Sequence, residues 1–430
     1  MGVVLPLRFL FVVVFVEVLT GFHGVGCSSQ PPMTPIPFDL YHSSAALLKE
    51  IKATVVRHPD TLTMETIKAG NKGYAAEVLV VTYNRQTEDV DDQSKLRVLL
   101  SFGQHGRELI TSEVALQLLS VLAKERNMQR ADLMSLHKLL DNLVIKMVPM
   151  ENLNGRKLVE AADLCERRNG RGVDLNRNWG VDWGKKEKDY DPYEENPGTA
   201  PFSEPEAQIM RQLAKSFEPH IWANVHSGME ALFTPYDHKN KTPEGSMSNL
   251  MDFILREVNH LHFEDKCLVG SGGGLVGYLA HGTTTDYMYD VVKVPLAFTF
   301  EIYGDSEASS KDCFKMFNPV DKLVFNKTVD NWTVAFLTLF KLGFLQLRDN
   351  HFAPSADLRK WVPFGGLVDN DFSKILFRED GKLRFYELPL ALIRKHNRIF
   401  PHSQKINLFM FIWSINYKEI LVILLKIIEG

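Results

Sequence analysis

The sequence predicts an α/β protein built on one large mixed, mostly parallel sheet with helices on both faces. Short apolar runs, among them Val78–Val81, Leu96–Phe102, Leu143–Pro149 and Leu296–Phe300, alternate with longer amphipathic stretches. Strands that read as continuous apolar runs are those covered by helices on both sides. The composition agrees: 45% of the 430 residues are hydrophobic, 24% are charged and the net charge is −4, the balance of a globular enzyme rather than a charged scaffold. No basic patch points to nucleic acid. No internal repeat or low-complexity tract divides the chain, so one catalytic domain with appendages is expected.

Taken in order, the chain opens with Arg8 and the apolar run Phe9–Val16, followed by Glu17 and a glycine-containing stretch to Gly26. Residues 1–27 read as a secretory signal peptide, with cleavage between Gly24 and Ser29. The single early charge and Glu17 leave an uncleaved anchor as the alternative. Sequons at Asn240, Asn326 and Asn331 fit a glycoprotein of the secretory pathway, extracellular or in a lumenal or vacuolar compartment. A Pro-rich segment, 28–39, leads into the domain expected over residues 40–345. Its first elements are a helix over Leu40–Thr54 and a strand over Glu77–Thr82. Too few residues precede that strand for an independent folded pro-domain, so the mature chain is expected to need no proteolytic activation.

Further strands are expected over Leu96–Phe102 and Leu143–Pro149, and another where Pro219–Ala223 runs into Asn224-Val225-His226-Ser227. Glu204–Phe217 reads as a helix with Ser203 as N-cap and Pro205 at its start. Ser246–His260 and Pro319–Leu342 read as two more helices. Residues 346–405 form a C-terminal extension containing Trp361–Gly366 and a hairpin around Glu379-Asp380-Gly381-Lys382. The apolar tail 406–430 is interrupted by Asn416, Lys418 and Glu419, which argues against a simple membrane span. A variant C-terminus and an interfacial helix are equal readings, and membrane contact of this tail stays open.

Chemistry enters at His105-Gly106-Arg107-Glu108, directly after a buried strand. A histidine and a glutamate three positions apart at a strand-to-helix junction can turn an imidazole nitrogen and a carboxylate toward one cation. Such a pair arises about 1.7 times by chance in a chain of this composition, so it needs a third donor. His226, far along the chain and also at a strand end, is that donor, because a sheet gathers its strand ends at one edge.

Further motifs follow in order: Asn152–Gly155 as an N-x-N-G turn, Val173-Asp174-Leu175-Asn176-Arg177-Asn178-Trp179, Val225-His226-Ser227, and a strand ending Phe298-Thr299-Phe300-Glu301. On these motifs the chain resembles the zinc metallocarboxypeptidases of the carboxypeptidase A type, over about residues 105–301 and, with flanking helices, 40–345. The resemblance implies a sheet of about eight strands. It also implies one Zn²⁺ per chain held by His105, Glu108 and His226, with a fourth position open to water. Asp174 would accept the second ring proton of His105. Glu301 would be the general base, and Arg167 would polarise the scissile carbonyl. Glu166 stands where the family commonly has tryptophan, which leaves Arg168 and Arg171 as competitors for that arginine role.

Asn176 and Arg177 would clamp the terminal carboxylate of the substrate, and Arg107 would be an auxiliary carboxyl-binding arginine further out. Tyr278 would fold over bound substrate. Counting from Asp286-Tyr287 puts Thr285 at the floor of the terminal-residue pocket, favouring apolar or aromatic residues. Counting from Glu301 instead puts Asp286 there, favouring Lys or Arg.

The resulting expectation is a secreted, monomeric zinc exopeptidase acting on peptide or protein C-termini. A catalytically silent peptide-binding member and a zinc amidohydrolase acting on acylated amino acids are the alternatives. Cys27, Cys165, Cys267 and Cys313 allow three pairings and match no zinc-ribbon or redox spacing.

Overall fold

The structure is a computed structural model that describes residues 33–86, 94–126 and 139–348, with the backbone of two further strands at 374–379 and 382–387. The expected signal peptide, Cys27, Trp361–Gly366 and the apolar tail lie outside the described residues.

One eight-stranded sheet forms the frame. Its strands are β1 (Leu62–Asn71), β2 (Tyr74–Asn84), β3 (Leu96–Phe102), β4 (Leu143–Val148), β5 (Ile221–His226), β6 (Met229–Thr234), β7 (Leu268–Ser271) and β8 (Leu296–Tyr303). Their order across the sheet is β1-β2-β4-β3-β5-β8-β6-β7. β4, β3, β5 and β8 run parallel in the middle, β6 and β7 are also parallel to each other, and the remaining pairs are antiparallel. Central strands therefore have two covered faces. Val98, Leu100 and Phe102 join the core under helices Ser44–Arg57, Leu109–Leu122, Ser246–Phe263 and Lys322–Arg348, while Leu99 between them joins the core under Pro205–Phe217. That alternation is the period-two geometry of a strand buried on both sides.

Chain order reverses across β3. The chain leaves β3 for β4 on one side and returns to β5 on the other, and the crevice outside the carboxyl ends of such strands is where α/β sheets gather binding groups. The parallel register pairs Phe102 with Val225 and His226 with Glu301, so the ends of β3, β5 and β8 lie side by side at one edge.

Several boundaries differ from the sequence reading for local reasons. The first helix begins at Ser44 rather than Leu40, because Leu40 and Tyr41 both donate to the Pro37 carbonyl in a turn and Ser43 caps the helix by accepting from Ala46 N–H. Glu204, not Ser203, is the N-cap of Pro205–Phe217. The Ser203 hydroxyl is spent on Asn178 and the Glu204 carboxylate. Asn152 starts a helix, Leu153–Glu160, by accepting from Gly155 N–H at 2.8 Å, where a turn was expected. β8 continues past Glu301 to Tyr303, which places that glutamate within the strand instead of at its end.

β1 has no apolar run: Thr63 to Thr66 are exposed, and only Leu62, Ile67 and Ala69 touch the core. It is held by the hairpin turn at Lys72-Gly73, both at positive φ (48° and 78°), which fits the twist of the flanking strands. The expected hairpin near residue 380 is present as an antiparallel pair, Lys374–Glu379 with Lys382–Glu387. Among the cysteines, Cys165 and Cys313 form a disulfide, and Cys267 is a buried free thiol.

Candidate active site

The loop after β3 is packed so closely that only glycine fits at position 106. A Cβ there would lie 2.7–2.9 Å from backbone atoms of Gly155 and Glu166. This contact fixes the two flanking side chains. His105 Nδ1 lies 2.6 Å from Glu108 Oε1, and His226 Nδ1 lies 3.0 Å from Glu108 Oε2 and 3.1 Å from His105 Nδ1. All three residues are buried. Burial alone would raise the Glu108 carboxyl, but the two imidazoles beside it hold it far below the ordinary carboxylate range. Two nitrogens and a carboxylate meeting in so small a volume, with only the Ser227 N–H as a further partner of the Glu108 carboxylate among the described residues, fit one divalent cation of the His₂Glu type.

Behind this group sits Asp174, fully buried and low in pKa. Burial is more than offset by Arg167, His105 and Arg177. His105 Nε2 lies 3.1 Å from Asp174 Oδ1, which leaves Nδ1 as the nitrogen facing Glu108 and His226. Arg167 Nε donates to Asp174 Oδ2 at 2.9 Å, and Asn176 N–H donates to Oδ1 at 2.8 Å. Of the three competing arginines, only Arg167 joins this cluster. Arg168 is forked onto Glu166, with its Nε and Nη2 each at 2.9 Å, and Arg171 turns to the Asn71 carbonyl and Glu204. Glu166, where the family commonly has tryptophan, thus holds the Arg168 guanidinium on itself.

Glu301 lies beside His226 in register. Its Oε2 is buried and makes no hydrogen bond, and burial together with the Glu108 charge pushes its carboxyl up to about 8. A buried carboxyl with an uncommitted oxygen and a raised pKa is a candidate for exchanging a proton with something placed against it.

Around the group are the polar side chains expected for substrate. Asn176 Oδ1 accepts from Thr284 N–H at 2.9 Å, which turns its amide NH₂ away from that backbone. Arg177 is buried, with Nε and Nη2 on Glu195 Oε2 at 3.1 and 3.0 Å. Arg107 is also buried. Its fork is closed on Glu194 at 2.9 and 2.6 Å, its Nη1 also donates to the Cys165 carbonyl, and its guanidinium stacks 4.1 Å from the Phe317 ring. Tyr278 is 42% exposed and near enough to couple electrostatically to both Arg167 and Arg177.

The two candidates for the pocket floor behave differently. Thr285 is buried against Trp222 and Thr299 through its hydroxyl. Asp286 is turned into the wall, accepting from Asp237 N–H, His238 N–H and the His238 ring.

Three features carried no sequence signal. Glu194 and Glu195 meet the two arginines only through tertiary folding. Asp237 has its carboxyl pushed up to about 8 by burial and the neighbouring Asp286. Glu151, one residue before the Asn152–Gly155 motif, is fully buried against Ser101 and Gln104 and pushed up to about 7 by burial.

A family model described as zinc carboxypeptidase matches residues 47–333. A zinc carboxypeptidase of Simulium vittatum is 23% identical over 277 residues, covering 61% of this chain and 85% of that protein. Human carboxypeptidase A5 is 24% identical over 277 residues, and the match spans 62% of this chain and 60% of that relative. An inactive metallocarboxypeptidase, ECM14, of Arthroderma otae is 24% identical over 242 residues, covering 52% of this chain and 40% of that protein. Among solved structures, carboxypeptidase A of Helicoverpa armigera superposes with a TM-score of 0.58 at 19% identity, covering 77% of this chain and 81% of that one, a likeness of fold.

Proposed function

The chain belongs to the zinc carboxypeptidase family, a family of metallocarboxypeptidase hydrolases, and from that premise we propose that it removes single residues from peptide C-termini. The observation that carries this reading is the convergence of His105, Glu108 and His226 on one point, with the far nitrogen of His105 on Asp174. One zinc ion bound there would supply Lewis acidity toward a carbonyl and a water nucleophilic at neutral pH.

The chain's own residues do the rest. Glu301, with an oxygen committed to nothing else, takes the proton of the attacking water and returns it to the departing amine. Arg167 is anchored through Nε on Asp174 and offers its remaining N–H groups to the carbonyl oxygen as negative charge develops. Arg177 and the Asn176 amide bind the terminal carboxylate, which restricts cleavage to the last bond. Tyr278 covers the bound residue, and Arg107 contributes to the outer groove chiefly by holding the loop that carries Glu194. Thr285 lies at the uncharged floor of the pocket, and Asp286 is bonded to Asp237 N–H and His238 inside its wall, so apolar and aromatic C-terminal residues are preferred.

The Cys165–Cys313 disulfide supports a secretory, oxidising compartment. Among the described residues no helix is long and apolar enough to cross a membrane. The decisive assay follows amino acids released from peptides with free and amidated C-termini, with and without chelator. Release from free ends only, abolished by chelator and faster for Phe than for Arg, is expected. Faster release of Arg would overturn the pocket assignment, and cleavage of amidated peptides would remove the exopeptidase reading. A zinc amidohydrolase would instead prefer acylated amino acids to peptides in the same assay.

A further inference from the structure

Adjacent carboxylates on one segment, Glu194 and Glu195, sit on the two buried arginines Arg107 and Arg177. The segment 184–197 is pinned at its far end. Asp174 N–H donates to the Asn196 carbonyl at 2.8 Å, Asn196 Nδ2 donates to the Gly172 carbonyl at 2.6 Å, and Asn178 and Trp183 both donate to the Pro197 carbonyl. Its two glutamates are not equivalent. Glu194 closes both oxygens on Arg107, a guanidinium that is itself buried, bonded to the Cys165 carbonyl and stacked on Phe317. Glu195 uses one oxygen only, Oε2, on Arg177; its side chain is 24% exposed against 40% for that of Glu194, so the difference between them lies in the bonding. Beside it lies a small space, about the size of one water, lined by Arg177, Lys185, Glu187, Tyr190, Glu195 and His281. Glu195 therefore has the looser hold of the two, one oxygen against two.

We propose that Glu195 is a built-in stand-in for the terminal carboxylate of the substrate, occupying Arg177 until a peptide displaces it, while the Glu194–Arg107 pair keeps it tethered nearby. This rests on the assignment of Arg177 as the carboxylate clamp. The chemistry is exchange of one carboxylate for another on the Nε–Nη2 edge of a guanidinium, an edge that takes a two-oxygen partner better than the single oxygen Glu195 supplies. Because the tether holds the internal carboxylate at high effective concentration, it competes with every incoming terminus, and apparent affinity falls by the fraction of molecules in which Arg177 is free. The segment thus sets how tightly the groove binds any free carboxylate without touching the bond that is cleaved.

The test is calorimetric titration of the zinc-loaded full chain with N-acetylphenylalanine, a product-like monocarboxylate, for the natural protein, Glu195→Gln and Glu195→Ala. Both variants are expected to bind about three- to tenfold more tightly, since a competing pair of this partial exposure is removed. Peptide KM should fall by the same factor with kcat changed less than twofold. Equal or weaker binding in both variants would show that Glu195 positions Arg177 instead of competing for it, and would overturn the proposal, as would absence of binding to all three proteins. Tighter binding in the variants with no peptide cleavage by any of the three would support the competing carboxylate and remove the hydrolytic reading.

Discussion

Asp174→Asn isolates the support of the metal group from the group itself. The substitution preserves shape but removes a buried negative charge that accepts from Arg167 Nε at 2.9 Å and lies 3.1 Å from His105 Nε2. Asn176 N–H is a third donor, at 2.8 Å, and Arg177 Nη1 stands 3.9 Å away. An amide can still accept through one oxygen, but its NH₂ must then face either the His105 ring or Arg167, both of which need an acceptor. Removing one partner of a buried, hydrogen-bonded ion pair costs about 3–5 kcal/mol, because the remaining charge is stranded. The loss of orientation at a ligating histidine weakens metal binding by about 10–100-fold. Two measurements separate the effects: zinc competition against a chromogenic chelator, and urea unfolding with and without zinc. The variant should lose zinc affinity by that factor and stability even as the metal-free protein. Zinc affinity within twofold of the natural protein would refute the argument that Asp174 sets the His105 tautomer.

Other consequences follow from the same geometry. Arg177→Lys replaces a two-pronged donor by a point charge, so kcat/KM for peptides should fall about 10–100-fold, and an unchanged value would remove Arg177 as the clamp. Glu151 keeps its proton in the folded state up to about pH 7, whereas the unfolded chain releases it near the ordinary glutamate value of 4.5. Folding therefore binds an extra proton in that window, and its contribution to stability declines as pH rises through it, by roughly 3 kcal/mol in all. Glu151→Gln should remove this decline when unfolding free energies at pH 5 and pH 8 are compared, and an identical pH slope in both proteins would contradict the assignment. Replacing Cys165 and Cys313 by serine opens a cross-link between residues 148 apart. The double variant should lose about 2–5 kcal/mol, read by denaturant unfolding, and undiminished stability would show that the bond adds nothing.

What the sequence disclosed was set by where burial and chemistry coincide. β3, β4, β5 and β8 were legible because strands covered on both faces leave nearly continuous apolar runs, with His105, Glu108 and His226 at or beyond the ends of β3 and β5 and Glu301 near the end of β8. β1 was not, since its residues Thr63 to Thr66 face solvent and its pairing is dictated by the Lys72-Gly73 turn. β7 is only four residues long and mostly uncovered, and β6 opens with Met229 and Glu230 outside the core, so neither leaves a full apolar run. The choice among Arg167, Arg168 and Arg171 depends on which carboxylate each one meets. Those partners, Asp174, Glu166 and Glu204, are brought to them in space, not in spacing. The same holds for Cys165 with Cys313, and for Glu194 and Glu195, whose partners lie on other loops.

Crystals grown with zinc and measured on either side of its absorption edge address the founding claim. The anomalous difference map should hold one strong peak per chain, about 2.0–2.2 Å from a nitrogen of His105, an oxygen of Glu108 and a nitrogen of His226. A peak elsewhere, or none at this cluster at saturating zinc, would contradict the metal site on which the hydrolytic function is built.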